Sequence, residues 1–411
     1  MNGSSSEKQS GTLSRSMGAT ATTSRRSENR IDDSSLFVAW LRIAAVWLAL
    51  ILVVLAIRFL PSDLRGYALL MRFADAKATS PLLRFETHTV TTQDVTIKGT
   101  NGPFPARLYL PVGVRHPHGM VAVHGIHHLG MDEPRLVGFA RAVSGSGLAV
   151  LTPQVDSLAD YHVDASSIPA IGDSAAWLQQ RLGTGPVTVT GISFAGGLSL
   201  LAATEPQYVP HIRALVLMGA YDDLARVSRF LATGQQQLPD GRIEPHPAHD
   251  YGAAVFVYAH LNQFFPAGDL AVAHEALRDW LWEDADKAKP LINELSPASQ
   301  ATMDALLARR IDEVRPQILN AIHTDEVELA TISPEGHVAN LKIPVYLLHG
   351  SADNIIPPAE SLWLAQDLPH GVVKDVLITD AFSHVDPEKG ASLGEELRLV
   401  HFIGDVLRRA N

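Results

Sequence analysis

The stretch that most restricts what this chain can fold into is Val187-Thr-Val-Thr-Gly-Ile-Ser-Phe-Ala-Gly-Gly197, followed directly by Leu198-Ser-Leu-Leu-Ala-Ala203. A β-branched run reads as a strand and the apolar, alanine-rich continuation as a helix. Between them the chain must turn too tightly for ordinary side chains, which is why glycines flank the serine. Such a turn lifts the Ser193 hydroxyl above the end of a sheet, at the positive end of the following helix. Ser193 is therefore the candidate nucleophile, and the rest of the chain has to supply a base, an acid and donors for a developing oxyanion.

Three global properties narrow the class. At 411 residues and 46% hydrophobic, the chain can bury a large core and carry an appended module. A net charge of −11 without clustered Lys and Arg argues against nucleic acid and for a small-molecule substrate. The absence of cysteine removes disulfides, thiolate nucleophiles and cysteine-ligated metal sites.

The first 35 residues are rich in Ser, Thr and Arg and too poor in apolar positions to order themselves, so 1–35 is expected as a disordered tail. Residues 36–57 form a run of 22 residues broken only by Arg42, against the roughly 20 needed to span a bilayer. Residues 43–57 show no polar face, unlike a core helix, and Ala56-Ile-Arg-Phe-Leu-Pro61 is a poor cleavage site. A single transmembrane helix over 36–60 is expected, with the lipid bilayer as partner. Arg25, Arg26 and Arg30 balance Arg65, Arg72 and Lys77, so flanking charge does not orient it. An uncleaved N-terminal anchor that also acts as a signal would put the globular part on the outer, periplasmic or extracellular, face.

A juxtamembrane linker over 61–91 precedes a change of pattern. Val95–Ile97 and Ala106–Leu110 read as a hairpin-like pair, and strands then alternate with helices: Met120–His124, a helix at 133–143, Leu148–Leu151, a helix at 168–182, the strand before Ser193, and Ala214–Met218. Continuous apolar strands separated by helices imply a parallel sheet covered on both faces. From Tyr221 to Asn340 the pattern is helical, with segments at 251–265, 270–288 and, behind Ser296 as expected N-cap, 297–310. Strands return at Ile343–His349 and Val372–Thr379. The expected domains are thus a core of 92–220 and 341–411 with an insert at 221–340.

The acid and base candidates follow those last two strands, in Gly350-Ser-Ala-Asp353 and Asp380-Ala-Phe-Ser-His384. Open parallel sheets bind ligands at the carboxyl ends of their strands, which would bring Ser193, Asp353 and His384 to one rim. His384 would take the serine proton and Asp353 would orient the imidazole and stabilise its charged form. Asp222 and Asp223, after the sixth strand, compete with Asp353 for the acid role. Asp375 falls inside a strand, and Asp380 is too near His384.

With these motifs in chain order, the sequence resembles the α/β-hydrolase family over about residues 92–411. The resemblance rests on Gly191-Ile-Ser-Phe-Ala195, the His124-Gly125 pair, the Asp353 loop with its prolines and the Ser383-His384 turn. It implies an α/β fold with an eight-stranded, mostly parallel sheet, helices on both faces and a helical lid after the sixth strand. It also implies an oxyanion hole from the backbone N–H groups of Ile126 and Phe194. One position departs from the family: Ala195 stands where glycine is usual, with Gly196 and Gly197 following to keep the approach close.

His124, His127 and His128 lie within five residues, a pattern that invites a metal. Asp132 is alone nearby, so solvent-facing loop histidines are expected for His127 and His128, with no metal or organic cofactor. Aromatic and aliphatic side chains of the insert, among them Tyr251, Phe256, Phe264, Trp280 and Trp282, are expected mostly as packing, with a minority lining an acyl or alkyl pocket. The expected activity is hydrolysis of a hydrophobic carboxylic ester through an acyl-enzyme on Ser193. A thioesterase or an amidase or peptidase would use the same groups, and a catalytically silent fold used for binding is the alternative from another class.

Overall fold

The computed structural model describes residues 33–249, 251–381 and 392–410. The expected tail at 1–35 therefore falls outside it almost entirely. The chain divides after Ile57 into two compact units.

In the N-terminal unit the described residues belong to the helix Asp33–Ala74. Large apolar side chains there face solvent, including Phe37, Trp40, Trp47 and Val54. Among the described residues no helix is long and apolar enough to cross a membrane.

The second unit is built on one sheet of eight strands: β1 (Val90–Gly99), β2 (Gly102–Pro111), β3 (Gly119–Val123), β4 (Ala149–Pro153), β5 (Val187–Ile192), β6 (Ile212–Met218), β7 (Val345–Gly350) and β8 (Val373–Thr379). They lie in the order β1-β2-β4-β3-β5-β6-β7-β8. β1 and β2 form an antiparallel hairpin and β2 meets β4 antiparallel, while every later pairing is parallel.

Alternate side chains of these strands feed two separate cores, as the pleat requires. Leu108, Val121, Val189, Leu215 and Leu347 pack with the helices Ser167–Leu182 and Phe194–Thr204 on one face. Tyr109, Met120, Val150, Val216 and Leu348 pack with Pro134–Gly145 and Leu393–Ala410 on the other. Burial on both faces explains why the inner strands read as unbroken apolar runs.

The 61–91 segment, expected as a linker, is helical to Ala74 and again over Pro81–Glu86. Ala68 and Leu69 are buried, and Leu69 shares a core with Leu399, Phe402 and Ile403 of the C-terminal helix. The approach is close: a Cβ on Gly66 would sit 2.5 Å from the Val400 carbonyl oxygen.

Between β6 and β7 the insert carries seven α-helices among its described residues, from Leu224–Thr233 to Glu326–Thr331. It differs from the expectation in four places, the first being that the helix expected at 251–265 ends at Ala259 and is followed only by a 3-10 turn at Leu261–Gln263. A small hairpin, Gln235–Gln237 with Ile243–Pro245, lies where only helix was expected. The expected helix at 270–288 is two, Leu270–Leu281 and Ala285–Ile292, broken at Trp282-Glu283-Asp284. Ser296 does sit at the N-cap of Pro297–Leu307, but its hydroxyl donates to Asp269 instead of capping the helix. The insert has its own core, which takes in Tyr161, Phe194 and Ile356 from the rim of the sheet.

Candidate active site

Ser193 stands between β5 and the helix Phe194–Thr204 with φ 56° and ψ −132°, a conformation that costs a non-glycine residue energy and persists only where its surroundings enforce it. Four close approaches surround it here. The Ser193 N–H donates to the Met218 carbonyl at 2.8 Å, tying the turn to β6. A Cβ on Gly191 would lie 2.6 Å from the Ala195 oxygen, so only glycine lets the helix fold back on the strand. At Gly196 and Gly197 a Cβ would come within 2.4 Å of Ala220 and of the Tyr221 ring. Ala195, two residues after the serine, is itself fully buried.

The hydroxyl Oγ has no hydrogen-bond partner among the described residues and borders a cavity of about 620 Å³. Met218, Leu136, Phe139, Phe73 and Trp280 give this cavity an apolar wall. Its mouth carries Arg135, Glu283 and Arg309, all exposed.

Gly125 lies against the serine: a Cβ there would be 3.0 Å from Ser193 Cβ. The next N–H, of Ile126, has no partner among the described residues, and that of Phe194 opens a helix and so has none within it. His124 anchors the loop. Its Nδ1 is 2.7 Å from the Gly125 carbonyl, and its Nε2 accepts from the Val155 N–H at 3.0 Å. Those two contacts require the neutral ring protonated on Nδ1, and burial agrees, pushing its pKa down to about 4. His127 and His128 are half-buried, where solvent-facing positions were expected. Their rings stack 4.7 Å apart, and His127 lines the cavity. Among the described residues no cluster of three or more His, Asp or Glu could hold a metal ion.

Asp353 follows β7 and is buried. Its Oδ1 accepts from the N–H groups of Ile355 and Ile356 at 2.9 and 3.1 Å, and the adjoining Asn354 and Ile355 line the cavity. His349, not singled out from the sequence, sits with Nε2 3.4 Å from Asp353 Oδ2. That nitrogen is 2.9 Å from the Ile356 carbonyl and Nδ1 is 2.7 Å from Ser361 Oγ, so the ring ties the Asp353 loop to the helix Ala359–Asp367. His384, the expected base, lies outside the described residues.

Asp222 and Asp223 are engaged elsewhere. Asp222 Oδ2 accepts from Arg226 Nη2 at 2.9 Å, and Glu360 Oε1 accepts from Arg226 Nε at 2.6 Å. Glu360 Oε2 also takes both backbone N–H groups of Asp222 and Asp223 at 3.0 Å, and Asp223 caps the helix Leu224–Thr233 through the Ala225 N–H. The guanidinium lies 4.3 Å from the Trp363 ring. Burial, with the neighbouring Glu360 charge, pushes Asp222 up to about 8 despite the arginine.

A family model described as the alpha/beta hydrolase fold matches residues 158–390, more than half of the chain. The chain belongs to the alpha/beta hydrolase family. Among solved structures, this hydrolase-fold chain is similar to a putative hydrolase from Legionella pneumophila at 14% identity and a TM-score of 0.54, with 84% of this chain and 95% of that one covered. It is also similar to an esterase from the archaeon Pyrobaculum calidifontis at 17% identity and a TM-score of 0.44, with 84% and 88% covered. At such identities the likeness is one of fold. Comparison with curated protein sequences finds no match.

Proposed function

We propose that this alpha/beta hydrolase is a membrane-anchored serine esterase, with Ser193 as nucleophile, His384 as base, Asp353 as acid and the N–H groups of Ile126 and Phe194 as oxyanion donors. The observation that carries the reading is the strained Ser193, its hydroxyl free of hydrogen bonds to the described residues and open to the cavity. In the proposed reaction Ser193 Oγ adds to the ester carbonyl as its proton passes to His384. The oxyanion forms beside the N–H groups of Ile126 and Phe194, and collapse expels the alcohol with that proton. Water then repeats the sequence on the acyl-enzyme. Fixed donors of this kind are worth roughly 3 kcal/mol each in such sites.

Asp353 is favoured over Asp222 because the side chain of Asp222 is engaged by Arg226. The apolar cavity wall supports a hydrophobic acyl or alkyl part, with the helical insert as a lid above it. The anchor rests on the apolar run at 36–57, its helical backbone and its exposed aromatic side chains, and the hydrolase unit is placed on the outer face by this reading.

Hydrolysis of a p-nitrophenyl ester series by the full chain tests the proposal. Turnover abolished by Ser193→Ala and kcat/KM rising roughly fourfold per added methylene, the equivalent of about 0.8 kcal/mol, are expected. Turnover that survives Ser193→Ala overturns the mechanism, and indifference to chain length overturns the hydrophobic substrate. Retention of the chain in membranes through alkaline carbonate extraction is expected, and release into the wash would overturn the anchor.

A further inference from the structure

His127 and His128 have no part in the chemistry just described, yet they occupy a defined place. His128 stacks on His127 at 4.7 Å and on Trp282 at 5.7 Å with 25° between the planes. Trp282 is the C-cap of the insert helix Leu270–Leu281. At that same helix end the Leu281 carbonyl accepts from the Tyr161 hydroxyl at 2.8 Å, and this hydroxyl is 3.4 Å from His128 Nδ1. The loop behind the histidines is pinned as well, His127 N–H donating to the Leu158 carbonyl at 3.3 Å.

Tyr161 is held there at a cost. It is buried, with φ 60°, in the left-handed region that disfavours a bulky side chain by about 1 kcal/mol or more. Ser193, Glu283 and Arg309 are the other non-glycine residues with positive φ among the described ones, and all four line the same cavity. Tyr161, Glu283 and Arg309 each follow a helix C-cap, where glycine is the favoured choice. At three helix ends, then, local preference yields to a side chain facing the cavity.

We infer that Tyr161 and the His128–Trp282 stack are positioning elements that clamp the oxyanion loop to the end of the insert helix and so fix the aim of the Ile126 N–H. The inference rests on the esterase reading above. Its physical logic is that a donor must sit where the oxyanion develops, and Ile126 is only one and two residues from the stacked rings. When the insert is seated, the loop is held from two directions, by a hydroxyl bridge and by ring stacking. Loosening either lets the donor drift, and the cavity wall stays in place because Phe keeps the ring of Tyr161 and Trp282 lies outside the lining. The loss is then one of transition-state stabilisation and not of binding.

The test is steady-state hydrolysis of p-nitrophenyl butyrate by the full chain in detergent, with thermal midpoints measured alongside. Tyr161→Phe and Trp282→Ala are each expected to lower kcat by roughly tenfold to a hundredfold, the scale of a misplacement near 1 Å, with KM within about twofold. Trp282→Phe, which keeps a ring for His128, is expected to recover most of the loss. Wild-type kcat in both Tyr161→Phe and Trp282→Ala overturns the clamp, and so does a raised KM at unchanged kcat, which would mean that they act on substrate binding alone. If Tyr161→Phe does not fold, the Trp282 pair decides by the same criteria. A wild-type chain that hydrolyses no ester and takes no fluorophosphonate on Ser193 overturns the esterase reading itself, whereas an active chain indifferent to the substitutions overturns only the clamp.

Discussion

Replacing Asp222 by asparagine, side by side with Asp353→Asn, separates the two candidate acids and tests the buried charge cluster in the same experiment. Asp222 and Glu360 are both fully buried and share the single guanidinium of Arg226, at 2.9 and 2.6 Å. Asp222 Oδ1 has no partner among the described residues, which leaves one carboxylate oxygen without compensation for its lost water. With its pKa pushed up to about 8 by burial and then by Glu360, Asp222 holds a proton at neutral pH that the unfolded chain releases above about 4.

The sign follows from linkage: where the native state binds the extra proton, stability falls as pH rises, here from about pH 4 to 8. One proton corresponds to about 1.4 kcal/mol per pH unit, so between pH 5 and pH 7 the wild type should lose on the order of 2–3 kcal/mol relative to Asp222→Asn. Asparagine keeps an oxygen for Arg226 and carries no charge to repel Glu360. Denaturant unfolding followed by tryptophan fluorescence at pH 5, 6, 7 and 8 measures the difference. Turnover in Asp222→Asn should stay within about twofold of wild type, while Asp353→Asn should lose on the order of 10³ to 10⁴ in kcat by analogy with other triads. A stability difference flat across this range refutes the shared-guanidinium argument, and a larger kcat loss in Asp222→Asn than in Asp353→Asn refutes the choice of acid.

Two further substitutions probe the walls of the site. Gly197→Ala drives a methyl to 2.4 Å from the Tyr221 ring, whose hydroxyl is tethered to the Ile332 carbonyl at 2.7 Å and cannot swing aside. A stability loss of about 1–3 kcal/mol is expected in thermal unfolding, with Gly268→Ala, where nothing lies within 4 Å, as the neutral control. His124 is neutral in the fold, with its pKa lowered to about 4 by burial, so the native state binds fewer protons than the unfolded chain below about pH 6.5. The stability advantage of wild type over His124→Gln should therefore shrink by up to about 3 kcal/mol as pH falls from 6.5 to 4, and a constant difference in acid titration of unfolding would contradict the buried neutral ring.

What can be read from the sequence follows from how local each signal is. The inner strands are buried on both faces and announce themselves as apolar runs. β1 does not: only Val95–Ile97 is legible, because Thr91, Thr92, Gln93 and Asp94 face solvent on an edge strand and carry no apolar signature. The Gln235–Gln237 hairpin escapes for the same reason, although Asp240-Gly241 is a turn signal. The serine turn is legible because its glycines answer a steric need within ten residues. Arg226 and Glu360 are 134 positions apart, and nothing local to either predicts their union. Tyr161 is invisible for a different reason: a left-handed tyrosine has no composition signal, since its conformation is imposed by partners at Leu281 and His128. His349 carries a usable signal, as a polar residue closing the apolar strand β7 immediately before Gly350.

The central claim is that Ser193 is an activated nucleophile, and the most direct measurement is reaction of the folded full-length chain with a fluorophosphonate followed by mass mapping of the adduct. The account predicts a single phosphonyl addition on the peptide carrying Ser193, absent in Ser193→Ala and in heat-denatured protein. An unmodified Ser193, or labelling that persists in Ser193→Ala, would contradict it.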